Sequence, residues 1–154
     1  MTETRAIDRR TMLALLAGGT TGFIWHAAPA AENSKNVTLY KDPECSCCEG
    51  YADYLRGNGF SVKLVPTHDL PLLDEKYGIP TELSPCHISL LGGYVVGGHV
   101  PIDIVHRLLA EKPAITGITL PGMPLGSPGM VGKKTEPFKI YTIEKGSPKV
   151  YATV

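Results

Sequence analysis

The stretch Val37-Thr38-Leu39-Tyr40-Lys41-Asp42-Pro43-Glu44-Cys45-Ser46-Cys47-Cys48-Glu49-Gly50-Tyr51 decides how this 154-residue chain folds. Its first four residues are β-branched, aliphatic or aromatic, the signature of a short strand. Three of the four cysteines follow within four positions. Beyond them Tyr51, Tyr54 and Leu55 recur at helical spacing, which predicts a half-buried helix over Glu49–Gly57. The cysteines therefore stand where a strand hands over to a helix. Unpaired N–H groups at a helix start, together with the helix dipole, favour thiolate over thiol. A disulfide framework joins distant segments, and three sulfurs on one loop do not serve that purpose. The loop is built for sulfur chemistry: metal binding, thiol–disulfide exchange, or both.

C-terminal to it, Asn58-Gly59 closes the helix with residues that tolerate positive φ. Phe60–Val65 alternates as a second strand, and His68–Tyr77 reads as a short helix stopped by Gly78 and Pro80. Cys86–Leu91 and Tyr94–Gly97 form a hairpin around Gly92-Gly93. Pro101 suits the first turn of a last helix, Ile102–Ala110, with Ile102, Val105, Leu108 and Leu109 on its apolar side. This order predicts an α/β, thioredoxin-like fold over residues 37–112, with a small central mixed sheet flanked by helices. Residues 113–154 differ in kind. Leu120–Val131 carries three prolines, three glycines and two methionines, which excludes a regular element. It reads as a Gly/Pro/Met-rich flap. Phe138–Ile143 and Lys149–Thr153 follow as short terminal strands around Lys145-Gly146-Ser147.

At the other end, residues 1–30 read as a cleavable export signal. Asp8-Arg9-Arg10-Thr11-Met12-Leu13 opens a weakly apolar run to Trp25, diluted by Gly18, Gly19 and Gly22. Ala28-Pro29-Ala30 then places small residues where a signal peptidase cuts. Adjacent arginines before a core of low hydrophobicity fit the twin-arginine route, with Met12 in place of the usual Phe. The expected location is the periplasm, with no membrane attachment after cleavage. Residues 31–36 read as a disordered lead-in. Of 15 basic and 15 acidic residues the signal removes three and two, leaving 12 against 13. There is no basic footprint for nucleic acid. An exported chain normally pairs its cysteines, and an even number of four permits that here.

Cys45 and Cys48 have the C-x-x-C spacing of a dithiol–disulfide pair. Exchange needs only two sulfurs, whereas Cys47 as a third adds a ligand for a soft metal. Cys86 opens the third strand, whose end lies against the dithiol loop in this fold. Pro85 before it stands near the position of a cis-proline, so a cis Ser84–Pro85 bond is one expectation. Strand alternation turns His87 away from the site if Cys86 faces it. His99, in Gly97-Gly98-His99-Val100-Pro101, sits on a loop that can lean toward the sulfurs, while His68 and His106 read as loop and helix-surface residues. Met123 and Met130 have no helix or strand to bury them, and thioethers suit Cu(I). The candidate ligands are Cys45, Cys47, Cys48, Cys86, His99, Met123 and Met130, with copper as the candidate cofactor. No catalytic residue is assigned.

Several separated pieces carry a likeness: Tyr40-Lys41-Asp42-Pro43 with Cys45-x-Cys47-Cys48, Cys86-His87, Gly92-Gly93-Tyr94-Val95-Val96 with Gly98-His99-Val100-Pro101, and Pro121-Gly122-Met123-Pro124 to Gly126-Ser127-Pro128-Gly129-Met130. In this order they resemble the CopG-type family of periplasmic copper-resistance proteins, a C-x-C-C metal-binding family of thioredoxin-like fold. The resemblance implies copper ions as ligand, with Cys45, Cys47, Cys48 and Cys86 as the sulfur donors, and envelope copper efflux or oxidase components as partners. It implies nothing for the tail after Lys133. The rival reading is a thiol–disulfide oxidoreductase in which Cys45 attacks and Cys48 resolves. An iron–sulfur carrier and a structural zinc site are further alternatives. If the chain is an enzyme, it is a copper or thiol oxidoreductase.

Overall fold

The computed structural model describes residues 35–154. The expected export signal, and all but the end of the lead-in, lie outside them. Strands β1 (Asn36–Lys41), β2 (Ser61–Pro66), β3 (His87–Leu91), β4 (Tyr94–Gly97), β5 (Gly117–Thr119), β6 (Lys139–Ile143) and β7 (Val150–Thr153) form one sheet in the order β2-β1-β3-β4-β5-β6-β7. Helices α1 (Cys47–Gly57), α2 (Leu70–Tyr77) and α3 (Ile102–Glu111) complete the α/β fold. The sheet is mixed: β1 runs parallel to β2 and β4 to β5, while the other neighbours are antiparallel.

The period-2 alternation of β1 buries Val37, Leu39 and Lys41 on one face. Against that face lies α1, whose buried residues Cys48, Tyr51, Ala52 and Leu55 form one helical stripe. Ile104, Val105 and Leu108 of α3 join the same cluster. The opposite face carries a smaller cluster of Ile79, Leu83, Ile88, Val95 and Ile143, against which Leu73 and Tyr77 of α2 pack. Neighbouring β3 residues divide accordingly, with Ile88 to the α2 side and Leu91 to the α1 side. His87 and Ser89 share the phase of Leu91. That places His87 on the α1 face, directly across from Lys41 in the β1–β3 register.

Several boundaries moved from their sequence positions for local reasons. The first helix starts at Cys47, not Glu49, so two cysteines lie in its first turn. The third strand starts at His87, leaving Cys86 in a bend before it. The Ser84–Pro85 bond is trans, as is every described peptide bond, so the expected cis-proline is absent here. Pro85 instead packs against Gly97, where an added Cβ would fall 2.9 Å from its ring. Strand β5 carried no periodic signal, being three residues long and buried throughout. Its Gly117 lies so close to the Val95 carbonyl that a Cβ would collide with it. Through β5 the terminal hairpin continues the main sheet. Leu120–Val131 is irregular, as its composition requires, and it returns to α1, where a Cβ on Gly50 would stand 2.6 Å from the Gly129 carbonyl.

Candidate metal centre

The Asp42–Ser46 loop is folded around the end of a buried lysine. Lys41 is 3% exposed, and its ammonium donates to the carbonyls of Asp42 (3.3 Å), Pro43 (3.2 Å) and Cys45 (3.0 Å). The Glu49 carboxylate lies 3.3 Å from the same nitrogen. A buried ammonium is tolerated only with such partners. Here they come from the loop itself, so the charge holds Cys45 in place. Asp42 adds an Asx-type turn, its Oδ1 accepting the Glu44 N–H at 2.9 Å. Ser46, at the helix start, makes no side-chain cap, which leaves the first-turn N–H groups free of a competing hydroxyl.

All four cysteine sulfurs lie within 4.8 Å of one another. Cys45 and Cys48 form a disulfide, and Cys47 and Cys86 are free thiols. Cys47 Sγ stands 3.4 Å from Cys45 Sγ, and Cys48 Sγ is 3.5 Å from the Cys86 carbonyl oxygen. Burial, and then the neighbouring Cys47 sulfur, push the Cys86 thiol up to about 12. The cost of a charge on Cys86 is thus high until a cation shares the space.

Behind Cys86 lies a second group. His87 is fully buried, with Nδ1 3.3 Å from Cys86 Sγ. Its ring centroid is 4.9 Å from that of His99, and both rings pack against Tyr51, at 4.8 and 5.3 Å. The loop carrying His99 is fixed to α1 by two tyrosines: Tyr51 donates its hydroxyl to the Val100 carbonyl at 2.9 Å, and the Ile102 N–H donates to the Tyr54 hydroxyl at 2.9 Å. His99 Nδ1 donates to the Pro128 carbonyl at 2.7 Å, which ties this loop to the Gly/Pro segment. Burial holds both imidazoles neutral: it lowers His99, and it lowers His87, with His99 as the next cause, to about 3. The Nε2 atoms of both rings are buried without a hydrogen-bond partner.

The structure brings Cys45, Cys47, Cys48 and Cys86 together, and it brings His99 to Cys86 by way of His87. Met130 is half-buried and directly follows Gly129, whose backbone touches Gly50 and Tyr51 of α1. Met123 is 43% exposed. His68 is exposed and pairs with Asp42 at 3.6 Å, and His106 is an exposed helix residue against Phe60. Sequence reasoning turned His87 away from the site. It counted Cys86 as part of the strand, but a bend frees Cys86 from alternation, so both residues reach the same space. Lys41 was missed as well. Its signal was the alternation Val37, Leu39, Lys41, which puts a lysine at an inward position.

A family model described as a protein of unknown function, DUF411, matches residues 83–130. Two solved structures of the copper resistance protein CopG, its forms 2 and 1, are each 30% identical to this chain with a TM-score of 0.70. They cover 77% of this chain, and 97% and 96% of their own. No curated protein matches it.

Proposed function

This chain belongs to the family of the copper resistance protein CopG, and from that premise we propose that it is an exported protein that holds Cu(I) on its cysteine sulfurs and so contributes to copper resistance. The observation that carries the reading is the convergence of four sulfurs within 4.8 Å, three from the junction of the β1–α1 loop with the first turn of α1 and one from 38 residues beyond Cys48. Soft thiolates select Cu(I) over the harder ions that carboxylates and carbonyls suit. A tetrahedral zinc site fits less well, because Cys47 and Cys48 are adjacent and leave little freedom to span one tetrahedron. His99 and Met130 are proposed to complete the donor set, with Met123, on the exposed part of the flap, contributing least.

The disulfide sets the order of events. Two electrons and two protons convert the Cys45–Cys48 bond into two thiols, after which four cysteines are available as donors. A dithiol reductant supplies both electrons in vitro and leaves as its own disulfide. Export and a periplasmic site rest on residues 1–30. Among the described residues no helix is long and apolar enough to cross a membrane.

The disulfide also favours a second reading, the thiol–disulfide oxidoreductase, in which Cys45 and Cys48 cycle without metal. Cys47→Ser separates the two. Under the copper reading, Cu(I) affinity measured against a chromophoric chelator falls sharply. Unchanged copper binding, together with undiminished reduction of insulin disulfides by the metal-free variant, would transfer the function to the dithiol.

A further inference from the structure

We infer that Asp74 of α2 is a positioning residue for Cys86, acting through the hydroxyl of Ser84; only the consequence for metal rests on the copper reading. Ser84 donates its hydroxyl to Asp74 Oδ2 at 2.5 Å, a bond between residues ten apart in the chain. Cys86 follows two positions beyond Ser84. A hydroxyl donated to a carboxylate makes a short bond, roughly twice as strong as a neutral one. Asp74 is half-buried, and its other oxygen, Oδ1, is buried with no hydrogen-bond partner. Such an orphaned oxygen destabilises the fold. A carboxylate retained in spite of that has a use beyond seating α2, since Leu73 and Tyr77 already pack this helix against the sheet.

Cys86 needs an outside anchor. The β1–β3 ladder begins at His87, so Cys86 stands in a bend outside it. The segment that delivers it is a single 3-10 turn, Thr81–Leu83. Three contacts hold that segment to the rest of the molecule. The Thr119 hydroxyl donates to the Leu83 carbonyl at 3.2 Å. The Pro85 ring packs against Gly97. Ser84 is bonded to Asp74. Thr119 and Gly97 belong to β5 and β4, so they fix the segment from within the sheet. Asp74 is the one anchor of the three that lies outside the sheet, and it holds the exposed Ser84. The bond therefore links α2, packed on the face opposite α1, to the thiol on the α1 side.

The test uses the full chain with the Cys45–Cys48 disulfide intact, which leaves Cys47 and Cys86 as the two thiols. Iodoacetamide alkylation, resolved by peptide mass spectrometry, reads the rate at each. In Ser84→Ala and in Asp74→Ala, Cys86 should react about tenfold faster, the effect of losing one charge-assisted hydrogen bond, while Cys47 keeps its rate. The double variant should add nothing to either single one, and Ser84→Thr, which retains the hydroxyl, should behave as wild type. A merely structural role would lower the urea midpoint and speed both thiols alike, and that result overturns the inference. So does an unchanged rate at Cys86. Should Asp74→Ala not fold, Ser84→Ala, at an exposed position, decides alone.

Cu(I) affinity of the reduced variants separates this inference from the reading beneath it. A faster Cys86 with weaker Cu(I) binding supports both. A faster Cys86 with undiminished binding upholds the role of Asp74 and removes Cys86 from the copper donors.

Discussion

The two sides of Cys86 make a useful contrast. On one side the sulfurs of Cys45, Cys47 and Cys48 sit where the loop enters α1, with the neighbouring Glu44 and Glu49 reaching water, and the loop's shape is held by one buried ammonium, Lys41. On the other, His87 and His99 are buried among Tyr51, β3 and the Gly/Pro segment. The sulfur side holds the Cys45–Cys48 disulfide beside two free thiols. On the imidazole side, burial keeps both rings neutral. Cys86 thus stands between a disulfide-bearing set of sulfurs and a pair of neutral, buried imidazoles.

Cys86→Ser strikes both sides and should have the largest effect. We expect Cu(I) affinity to fall at least about 100-fold, the upper range for perturbing a metal's surroundings, in a competition titration. A drop no greater than that of Cys47→Ser would remove Cys86 from its shared position.

The imidazole side alone should respond to acid in the metal-free protein. His87 titrates near 6.5 when unfolded and near 3 when folded, so it is neutral in the native state. Its folded value is depressed, so the stability it contributes is complete above pH 6.5 and is lost as pH falls toward 3. At pH 4 the loss should amount to a few kcal/mol in urea unfolding. His87→Gln should flatten that part of the profile, and an unchanged slope would mean the ring is not buried as described.

Lys41→Met probes the sulfur side alone. Removing the ammonium strands three carbonyls, at a cost of about 1–3 kcal/mol. Little of this comes from Glu49, whose carboxylate is largely exposed. Lys41→Arg should recover part of the loss. Copper affinity should fall in the Met variant while imidazole scattering in the X-ray absorption spectrum persists, and equal loss on both sides would mean that the loop and the histidines move as one body.

The smallest effects belong to the flap. Met130→Leu should weaken Cu(I) binding by a few-fold, about 1 kcal/mol or less, and Met123→Leu by less still. Larger loss at Met123 would reverse the order that exposure implies.

The legibility of the chain follows the same divide. Where function is local, the sequence shows it: C-x-C-C between a β run and a helical stripe, Gly92-Gly93 between β3 and β4, and Lys145-Gly146-Ser147 between β6 and β7 are each readable within a dozen residues. The histidine side depends on register and on a bend. His87 comes to the site because it opposes Lys41 across two strands and because Cys86 lies before β3 and not in it. Neither fact is written in spacing. Strand β5 was hidden for a related reason, since three buried residues starting at a glycine have no period to read, yet they join the terminal hairpin to the sheet. Lys41 lies just past the four-residue run read as a strand, and the loop folded around its ammonium reveals its role.

Whether the sulfurs of this chain hold copper is tested most directly by metal analysis. Reduced protein, loaded with Cu(I) under anaerobic conditions and freed of excess, should be analysed for copper per chain alongside a count of reactive thiols before and after chelation. The account predicts at least about one copper per chain, with thiols that react only after the metal is stripped. Protein without copper, showing four reactive thiols from the start, would contradict it.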